Sequence, residues 1–459
     1  MLIRNEQTIC AISTPHGAGG ISVVRVSGPQ AVAFVKKISK KLKSKNTLQS
    51  HRAYFSEISD FDGKKIDEVV ITYFAFGKSF TGEEVVEISC HGSRFISKKI
   101  LDLLVLAGSR IADRGEFTFR AFINGNLDLI QAESVLALIE SQNEASAKVA
   151  LRQLDGVVSE KFEKLISDLT WSLAHIEASI DFAEQGIQVV DPDVLLRKLV
   201  GVETGLKALL DSYRAGRLVR DGVRVALVGE PNVGKSSLLN LLLEADRAIV
   251  TPIAGTTRDV VEGEVLFSGT KFNFSDTAGL RETEDQVEII GIDKSKKEAA
   301  KADLLCFVLD CTSDNWARAL QLAQQIPNSK KLFLLNKSEK IAEGDRQILL
   351  ARLPSDTPAL FTSALNNQSR EVIYTAIITA VGSLEFLDEA IISSARQFEQ
   401  AKYSHEMISI SIADLNENVG AEFVAMHLKE SLISLQKILG QVYDDQIMDR
   451  VFKEFCLGK

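Results

Sequence analysis

The 459-residue chain has little of what marks secreted, zinc-bound or membrane-spanning proteins. Its five cysteines lack C-x-x-C spacing, and its six histidines form no cluster beside them, which argues against disulfides and structural zinc. No apolar run approaches the roughly 18 residues that a membrane helix needs. The start, MLIRNEQTIC, lacks the basic and apolar segments of a secretory signal. We therefore expect a cytoplasmic protein with no membrane partner.

A net charge of -9 argues against bulk attraction to nucleic acid. One run of the chain is locally basic and contains Lys36, Lys37, Lys40, Lys41, Lys43 and Lys45. Such runs most often form a solvated helix end and loop. A basic face of this kind can also bind RNA, so both interpretations stay open.

At roughly 150 residues per domain, the length predicts about three domains. Residues 1–122 combine strand-like runs, such as ISVVRVS at 21–27, with a helix-like run at 96–108. This pattern predicts an N-terminal α/β or α+β domain. In residues 123–219 the strands vanish and apolar residues recur every three or four positions, and a similar stripe returns within 383–459. We expect a helical domain built from these two parts.

Residues 220–382 alternate apolar strands with helical segments. The strand-like runs are VRVALVG, KFNFSD, DLLCFVLD, KLFLLNK and TPALFTSA. Such alternation predicts a mostly parallel sheet covered by helices. The simplest architecture is therefore an α/β nucleotide domain inserted into the helical domain.

A phosphate-binding loop opens this inserted segment. Gly229–Ser236 reads GEPNVGKS, which fits G-x-x-x-x-G-K-[ST] between a predicted strand and a predicted helix. The glycines let backbone N–H groups surround phosphate oxygens, Lys235 reaches the outer phosphates and Ser236 ligates magnesium. The sequence therefore predicts a P-loop nucleotide site.

The other parts of a GTPase follow in order. Asp276–Gly279 reads DTAG after a strand, where it places a carboxylate near magnesium and a glycine amide near the γ-phosphate. Upstream, Thr257 offers a hydroxyl to the same metal from a switch segment. Downstream, Asn336–Glu339 and Ser363–Ala364 follow two further strands. Together these segments make guanine the expected base.

Two positions depart from common GTPases. Glu339 stands where N-K-x-D carries aspartate, and one extra methylene moves the carboxylate that pairs with guanine. Leu280 stands where many small GTPases carry the glutamine that orients the attacking water. Several acids in 281–288 are candidates for that task, although a solvated switch helix explains most of them equally well.

Blocks along the whole chain resemble the MnmE (TrmE) family of tRNA modification GTPases. They are Thr8–Ala11, Gly19–Ile21 and Arg25–Gly28; Thr81–Glu84 and Cys90–Gly92; Arg114–Phe117, Arg120–Phe122 and Leu127–Glu133; and the terminal FCLGK, Phe455–Lys459. This ordered set separates the chain from ribosome-assembly GTPases, which share only the G-domain motifs. The resemblance implies an N-terminal dimerisation and folate-binding domain, a helical domain and an inserted Ras-like G domain.

The resemblance also implies a reaction. Family members form homodimers that join the flavoprotein MnmG in a heterotetramer-like complex and modify carbon 5 of the wobble uridine of certain tRNAs. The product is an aminomethyl or carboxymethylaminomethyl group. The cofactors implied are GTP, magnesium, potassium and a 5-formyl- or methylene-tetrahydrofolate, while FAD and a nicotinamide nucleotide act through the partner.

Several site residues are implied by the resemblance alone. Asn232, Thr251, Ile253 and Thr256 match the family's potassium site, and Glu288 matches its catalytic glutamate, which joins Lys235 as an expected catalytic residue. With these added, the residues expected at GTP are Asn232, Val233, Gly234, Lys235, Ser236, Ser237, Thr251, Pro252, Ile253, Ala254, Gly255, Thr256, Thr257, Asp276, Thr277, Ala278, Gly279, Asn336, Lys337, Glu339, Ser363 and Ala364.

The residues expected to contact folate match the family's positions less completely than the residues expected at GTP. Arg25, Glu87 and Lys459 match family positions, whereas Asn126 stands where many relatives have lysine. We therefore expect folate binding with reduced affinity. For Cys456, an inert thiol and a part in one-carbon chemistry both remain open.

Two other functions compete with tRNA modification. A ribosome-assembly GTPase would be a switch that modifies nothing, would copurify with ribosomal RNA and would not bind folate. A P-loop ATPase is disfavoured by Asn336, Lys337 and the Ser363–Ala364 pair. The N-terminal and C-terminal blocks favour tRNA modification.

Overall fold

The computed structural model describes most of the chain. The described residues are 7–15, 17–182, 189–243, 263–276, 302–326, 330–354, 357–382, 390–442, 445–455 and 458. Contacts between residues divide the chain into two compact units. The first comprises residues 1–139, 151–210 and 396–459. The second comprises residues 140–150 and 211–395. This division does not test the predicted domain boundaries at 122, 219 and 382, which stay predictions.

The first unit contains a mixed sheet. Its strands are β1 (Ile9–Ile12), β2 (Ile21–Ser27), β3 (Arg52–Ser59), β4 (Lys65–Phe74), β5 (Val85–His91) and β6 (Arg110–Ile111). They lie in the order β3-β4-β5-β2-β1-β6, and every pairing is antiparallel except that of β1 with β6. Of the two expectations for this region, α+β is therefore the better description.

Helices cover one face of that sheet. They are α1 (Ala31–Ile38), α2 (Lys40–Lys43) and α3 (Arg94–Ala107), while α4 (Glu116–Ile123) follows the sheet in the chain. Alternate strand residues, among them Val24, Val26, Ile71 and Ile88, form the core with these helices. The intervening residues, such as Arg25 and Glu87, lie on the opposite face because strand side chains alternate. This alternation places the predicted folate residues outside the core.

Long helices follow. They are α5 (Leu129–Glu140), α6 (Glu144–Leu154), α7 (Val157–Asp181), α8 (Pro192–Asp221), α13 (Ala395–Asn416), α14 (Ala421–Leu439) and α15 (Asp445–Lys453). The predicted apolar stripe of α7 is buried, as at Phe162, Leu169 and Ile176, and α7 packs against α14. Burial of one stripe is what stabilises such amphipathic helices. None of the helices in the described ranges has the length and apolarity that crossing a membrane requires.

The second unit contains the predicted nucleotide sheet. Its strands are β7 (Val223–Val228), β8 (Gly263–Phe267), β9 (Thr270–Asp276), β10 (Leu304–Asp310), β11 (Lys330–Asn336) and β12 (Ala359–Phe361). The order is β12-β11-β10-β7-β9-β8, and only the edge strand β8 runs antiparallel. The expected mostly parallel sheet is confirmed.

Helices enclose this sheet, as buried parallel strands require. They are α9 (Lys235–Leu243), α10 (Ala317–Gln325), α11 (Asp345–Leu350) and α12 (Gln368–Val381). Val225 and Leu227 of β7 join a core cluster that includes Tyr374 of α12, while Ala226 and Val228 join one that includes Trp316. Both faces are therefore buried, and polar residues gather beyond the carboxyl ends of the strands.

Candidate nucleotide site and a second polar site

The P-loop connects β7 to α9. Asn232 has a left-handed φ of 62°, and Gly234 follows with φ 97°. A Cβ atom on Gly234 would lie 2.2 Å from Nδ2 of Asn336, so a larger residue would collide with a neighbouring site residue. The glycine is required by both its backbone angle and this close approach. Val233 is buried, whereas Ser236 and Ser237 at the start of α9 are exposed.

Lys235 lies over the loop. Its side chain donates hydrogen bonds from Nζ to the carbonyl oxygens of Gly229 and Glu230, at 2.8 and 2.7 Å. The ammonium group is thereby held on the concave side of the loop at the N-terminus of α9. A positive charge, a helix N-terminus and a glycine-containing loop together form an anion-binding site.

Asn336 and Lys337 join the P-loop to the end of β11. Asn336 donates from Nδ2 to the carbonyl of Val233 at 2.8 Å, and Lys337 donates from Nζ to the carbonyl of Asn232 at 2.9 Å. Lys337 also pairs with Asp310, 2.5 Å from Nζ to Oδ2. The predicted base-binding and phosphate-binding segments are therefore in direct contact.

Asp310 was not predicted as a site residue. Partial burial acts to raise its pKa, but hydrogen bonds from Lys337 and Thr312 outweigh that effect and lower the pKa. Asp310 stays ionised at neutral pH and fixes the Lys337 ammonium beside the loop. In the sequence, Asp310 could have been noticed as the acid that ends the apolar run LLCFVLD. In the structure it lies directly opposite Asn336 of the neighbouring strand.

Two buried acceptors near the expected base position have no partner. Within the described part of the chain, Oδ1 of Asn336 and Oγ1 of Thr362 make no hydrogen bond, although both residues are about 1% exposed. Ser363 lies buried beside them, Ala364 is half-buried, and Glu339 is exposed in a 3-10 turn at Ser338–Lys340. A buried polar atom without a partner is costly, so this edge fits a ligand that supplies hydrogen-bond donors.

Several predicted GTP residues lie outside the described residues. They are Thr251, Pro252, Ile253, Ala254, Gly255, Thr256, Thr257, Thr277, Ala278, Gly279 and the expected catalytic Glu288. Asp276 ends β9 beside Leu227 of β7, although its side chain is not described. The magnesium, potassium and water-activating roles of these residues stay predictions.

A second polar site lies on the open face of the N-terminal sheet. Arg25 of β2 donates from Nε to Oε1 of Glu87 on β5 at 2.9 Å, and the two residues are directly opposite in register. The rings of Phe80 and Phe117 lie 5.9 and 5.6 Å from the guanidinium carbon. The sequence pattern does not reveal these rings as neighbours of Arg25, because they come from a distant loop and from α4.

The terminal nitrogens of Arg25 remain available. Among the described residues, neither Nη1 nor Nη2 has a hydrogen-bond partner, and the side chain is only 17% exposed. A partly buried guanidinium between two aromatic rings fits a planar ligand that carries a carboxylate or ring acceptors. The residues present therefore fit a folate-type group.

The side chain of Asn126 makes its hydrogen bonds within the protein. Its Nδ2 donates to the carbonyl oxygens of Ser79 and Phe80, at 3.0 and 3.2 Å. The side chain therefore fixes the loop that carries Phe80 over Arg25. Lys459 and Cys456 lie outside the described residues, whereas Phe455 just before them is buried.

The chain is similar to known proteins over nearly its whole length. Two family descriptions match the chain: "GTP-binding protein TrmE N-terminus" over residues 8–126 and "MnmE helical domain" over 129–456. A tRNA modification GTPase MnmE of Bdellovibrio bacteriovorus is 49% identical, over 99% of this chain and 98% of its own. One of Flavobacterium johnsoniae is 38% identical, over 99% of this chain and 100% of its own. The solved G domain of the T. maritima FeoB iron transporter is 27% identical over 35% of this chain, with a TM-score of 0.26.

The fold and the nucleotide site define a P-loop GTPase, an enzyme that hydrolyses GTP. Full-length identity to the curated relatives then places it more narrowly. The chain belongs to the MnmE family of tRNA modification GTPases.

Proposed function

We propose that this GTPase, as a homodimer with an MnmG-type flavoprotein, modifies carbon 5 of the wobble uridine of certain tRNAs. The observation that carries the proposal is the 49% identity to a tRNA modification GTPase across nearly the whole of both chains. Such identity includes the N-terminal and helical regions, which a general GTPase switch does not need. Family membership therefore favours RNA modification over ribosome assembly.

In this proposal the G domain binds and hydrolyses GTP. Lys235 neutralises charge on the outer phosphates, Ser236 and Thr257 hold magnesium, and Glu288 positions or deprotonates the attacking water. Asn232, Thr251, Ile253 and Thr256 hold potassium, which supplies the positive charge that an arginine finger gives in other GTPases. In support, Asn232 projects from a left-handed turn at the exposed tip of the P-loop.

The N-terminal domain binds the one-carbon donor in this proposal. Arg25 holds a carboxylate or ring acceptor of tetrahydrofolate, and Glu87 accepts hydrogen bonds from the amino edge of its ring system. The free donors of Arg25 and its aromatic neighbours support this assignment. When bound, the folate supplies the one-carbon unit, and FAD and a nicotinamide nucleotide supply redox chemistry from the partner. Lys459 and Cys456 are placed near this group by the family pattern alone.

A reconstitution tests the function. Undermodified tRNA is incubated with the chain, an MnmG-type flavoprotein, GTP, methylene-tetrahydrofolate, NADH and either glycine or ammonium, and its wobble nucleoside is analysed by mass spectrometry. We expect the modified uridine with the unaltered chain and its loss with Lys235→Ala. An unmodified uridine in all reactions, together with copurifying ribosomal RNA, would favour the assembly-factor alternative.

A further inference from the structure

The described N-terminal unit has an acid-free, basic segment. Residues 7–56 contain eight arginines and lysines and no aspartate or glutamate, in a chain whose net charge is -9. Seven of the eight lie between residues 36 and 52. We call these seven the basic surface: Lys36, Lys37, Lys40, Lys41, Lys43, Lys45 and Arg52. The charge of this segment is therefore opposite in sign to the net charge of the chain.

The fold turns these charges outward. Val35, Ile38 and Leu42 of α1 and α2 are buried in the core, which leaves the lysines between them facing solvent. The side chain of Lys40 is 76% exposed, and Lys41 and Lys43 are also exposed. The basic surface therefore has its most exposed lysines on α2, with further charges on α1, in the loop after α2 and at the start of the edge strand β3.

Some of its charges have local partners and others do not. Lys37 donates to the carbonyl of Ala107, and Lys45 lies 5.1 Å from the centre of the Tyr54 ring. Lys40 has only a long contact of 3.8 Å with Glu57. Over the described residues, Lys41 and Lys43 have no ion-pair partner. Protein carboxylates thus leave much of this positive charge unneutralised.

The chemistry of the surface favours RNA over a lipid bilayer. No large hydrophobic residue of 31–53 is exposed, and Phe55 on β3 is a single ring that is 58% exposed, whereas a helix that binds a membrane surface needs an exposed apolar face. Between the basic residues lie exposed polar side chains, including Asn46, Thr47 and Gln49. Lysines interspersed with amide and hydroxyl groups suit the sugar-phosphate backbone of a nucleic acid.

We propose that the basic surface contacts the phosphate backbone of the tRNA substrate. This inference rests on the proposed function, because it takes its partner from tRNA modification. The contact holds the tRNA without reading its sequence, since lysines on a helix exterior bind phosphates as point charges. Specificity for particular tRNAs then arises elsewhere in the complex.

The test compares two triple variants with the same change of charge. Lys40, Lys41 and Lys43 are changed to Gln in the first, and the exposed Lys161, Lys164 and Lys207 of α7 and α8 in the second. Binding of an unmodified tRNA transcript to the full-length chain is measured from 50 to 300 mM salt. We expect the first variant to bind about tenfold more weakly at 100 mM, with a slope of log K against log salt shallower by about 2. The second variant and both GTPase rates remain near the unaltered values.

Other outcomes overturn the inference in distinguishable ways. Equal tRNA affinity and slope for the first variant, with normal binding by the unaltered chain, would exclude the basic surface while leaving the proposed function intact. Equal weakening in both variants would show a general charge effect. No tRNA binding by the unaltered chain would overturn the basic surface as a tRNA contact of this chain, while the reconstitution with the flavoprotein decides the proposed function separately. Loss of binding to phosphatidylserine vesicles, with tRNA binding unchanged, would assign the surface to a membrane.

Discussion

At the scale of single residues, Glu339 tests how the base is recognised. Its exposed side chain follows Asn336 and Lys337 in the 3-10 turn, and its extra methylene moves the carboxylate away from the position that aspartate gives. We expect Glu339→Asp to bind GTP up to about tenfold more tightly, because two charge-assisted hydrogen bonds gain better geometry. Calorimetry with GTP and GDP measures this, and tighter binding by the unaltered protein would refute it.

Arg25 tests the second site. Its two terminal nitrogens have no hydrogen-bond partner among the described residues, and its guanidinium lies near two aromatic rings, so we expect it to be the main contact of a folate carboxylate or ring. We expect Arg25→Ala to weaken binding of 5-formyl-tetrahydrofolate by at least tenfold in calorimetry, while the GTPase rate is retained. Arg114→Ala, in the neighbouring loop, serves as a control. Undetectable binding by the unaltered dimer would contradict the folate assignment.

Site residues were predicted unevenly from sequence. The P-loop and the Asn336–Lys337 pair were found because their motifs are short and continuous. Asp310, Phe80 and Phe117 were not predicted. Asp310 contacts a residue 27 positions away, and the two rings contact a residue 55 and 92 positions away. No local sequence pattern records such contacts. Asn126 was predicted at the folate site in place of a family lysine, which stays a prediction, and the sequence did not reveal that its amide fixes the loop of Phe80.

At the scale of elements, the contact between α4 and α15 depends on Gly115. This residue precedes α4 with φ 69°, and a Cβ atom there would lie 2.4 Å from the carbonyl oxygen of Phe452. We expect Gly115→Ala to cost about 2–4 kcal/mol, since it combines backbone strain with a steric clash. Gly125 is the control, because it has φ 74° but open space around its Cβ position, and Gly125→Ala should cost only about 1 kcal/mol. Thermal unfolding and proteolysis of the C-terminal segment measure both; equal losses would show that the clash is unimportant.

A buried charge network joins α4 to the sheet. Arg120, about 1% exposed, pairs with Glu83 and Glu116, each at 3.0 Å, and Glu116 also pairs with Arg110. We expect Glu116→Gln to destabilise the domain by about 2–3 kcal/mol, because it removes one of the two carboxylates that neutralise the buried Arg120 and leaves only Glu83. Glu68→Gln, which breaks an exposed pair with Lys65, should cost less than about 1 kcal/mol. Urea unfolding compares the two variants, and similar losses would contradict the network's importance.

The same carboxylate gives a dependence on pH. Burial acts to raise the pKa of Glu116, but hydrogen bonds from Arg110 and the amide of Asp113, with the charge of Arg120, lower it overall. Because the folded pKa lies below the unfolded one, this stability is complete above the unfolded pKa and is lost as pH falls through the folded pKa. We expect the difference in unfolding free energy between the unaltered protein and Glu116→Gln to shrink below about pH 4. A difference that is constant from pH 7 to pH 3 would show that Glu116 contributes no ionised interaction.

Strands and helices were predicted well where apolar residues recur at a regular spacing over many positions. The run ISVVRVS gave β2 at Ile21–Ser27 and the stripe from Val424 to Leu439 gave α14. Short or edge strands were missed, as with the two-residue β6 and the antiparallel β8. Such strands form because a neighbouring strand offers hydrogen bonds, and a local sequence pattern does not reveal that neighbour.

At the scale of the whole molecule, the nucleotide sheet and the N-terminal sheet belong to separate compact units. Each unit carries its own site, with the P-loop in one and Arg25 in the other. Under the proposed function, GTP hydrolysis and one-carbon transfer use sites on different units, and the two sites have to be coupled. We propose that potassium-dependent approach of two G domains provides this coupling. Scattering curves should differ between GDP and a transition-state mimic, and identical curves would count against the coupling.

We propose that GTP hydrolysis by this chain depends on a cation bound at Asn232. The most direct test of this proposal is the steady-state GTPase rate in potassium and in sodium buffers of equal ionic strength, for the unaltered protein and for Asn232→Ala. We expect at least tenfold activation by potassium, which the variant loses, because the cation stabilises the charge that develops between the phosphates. Equal rates in the two salts would contradict that activation, and the ribosome-assembly alternative would then regain support.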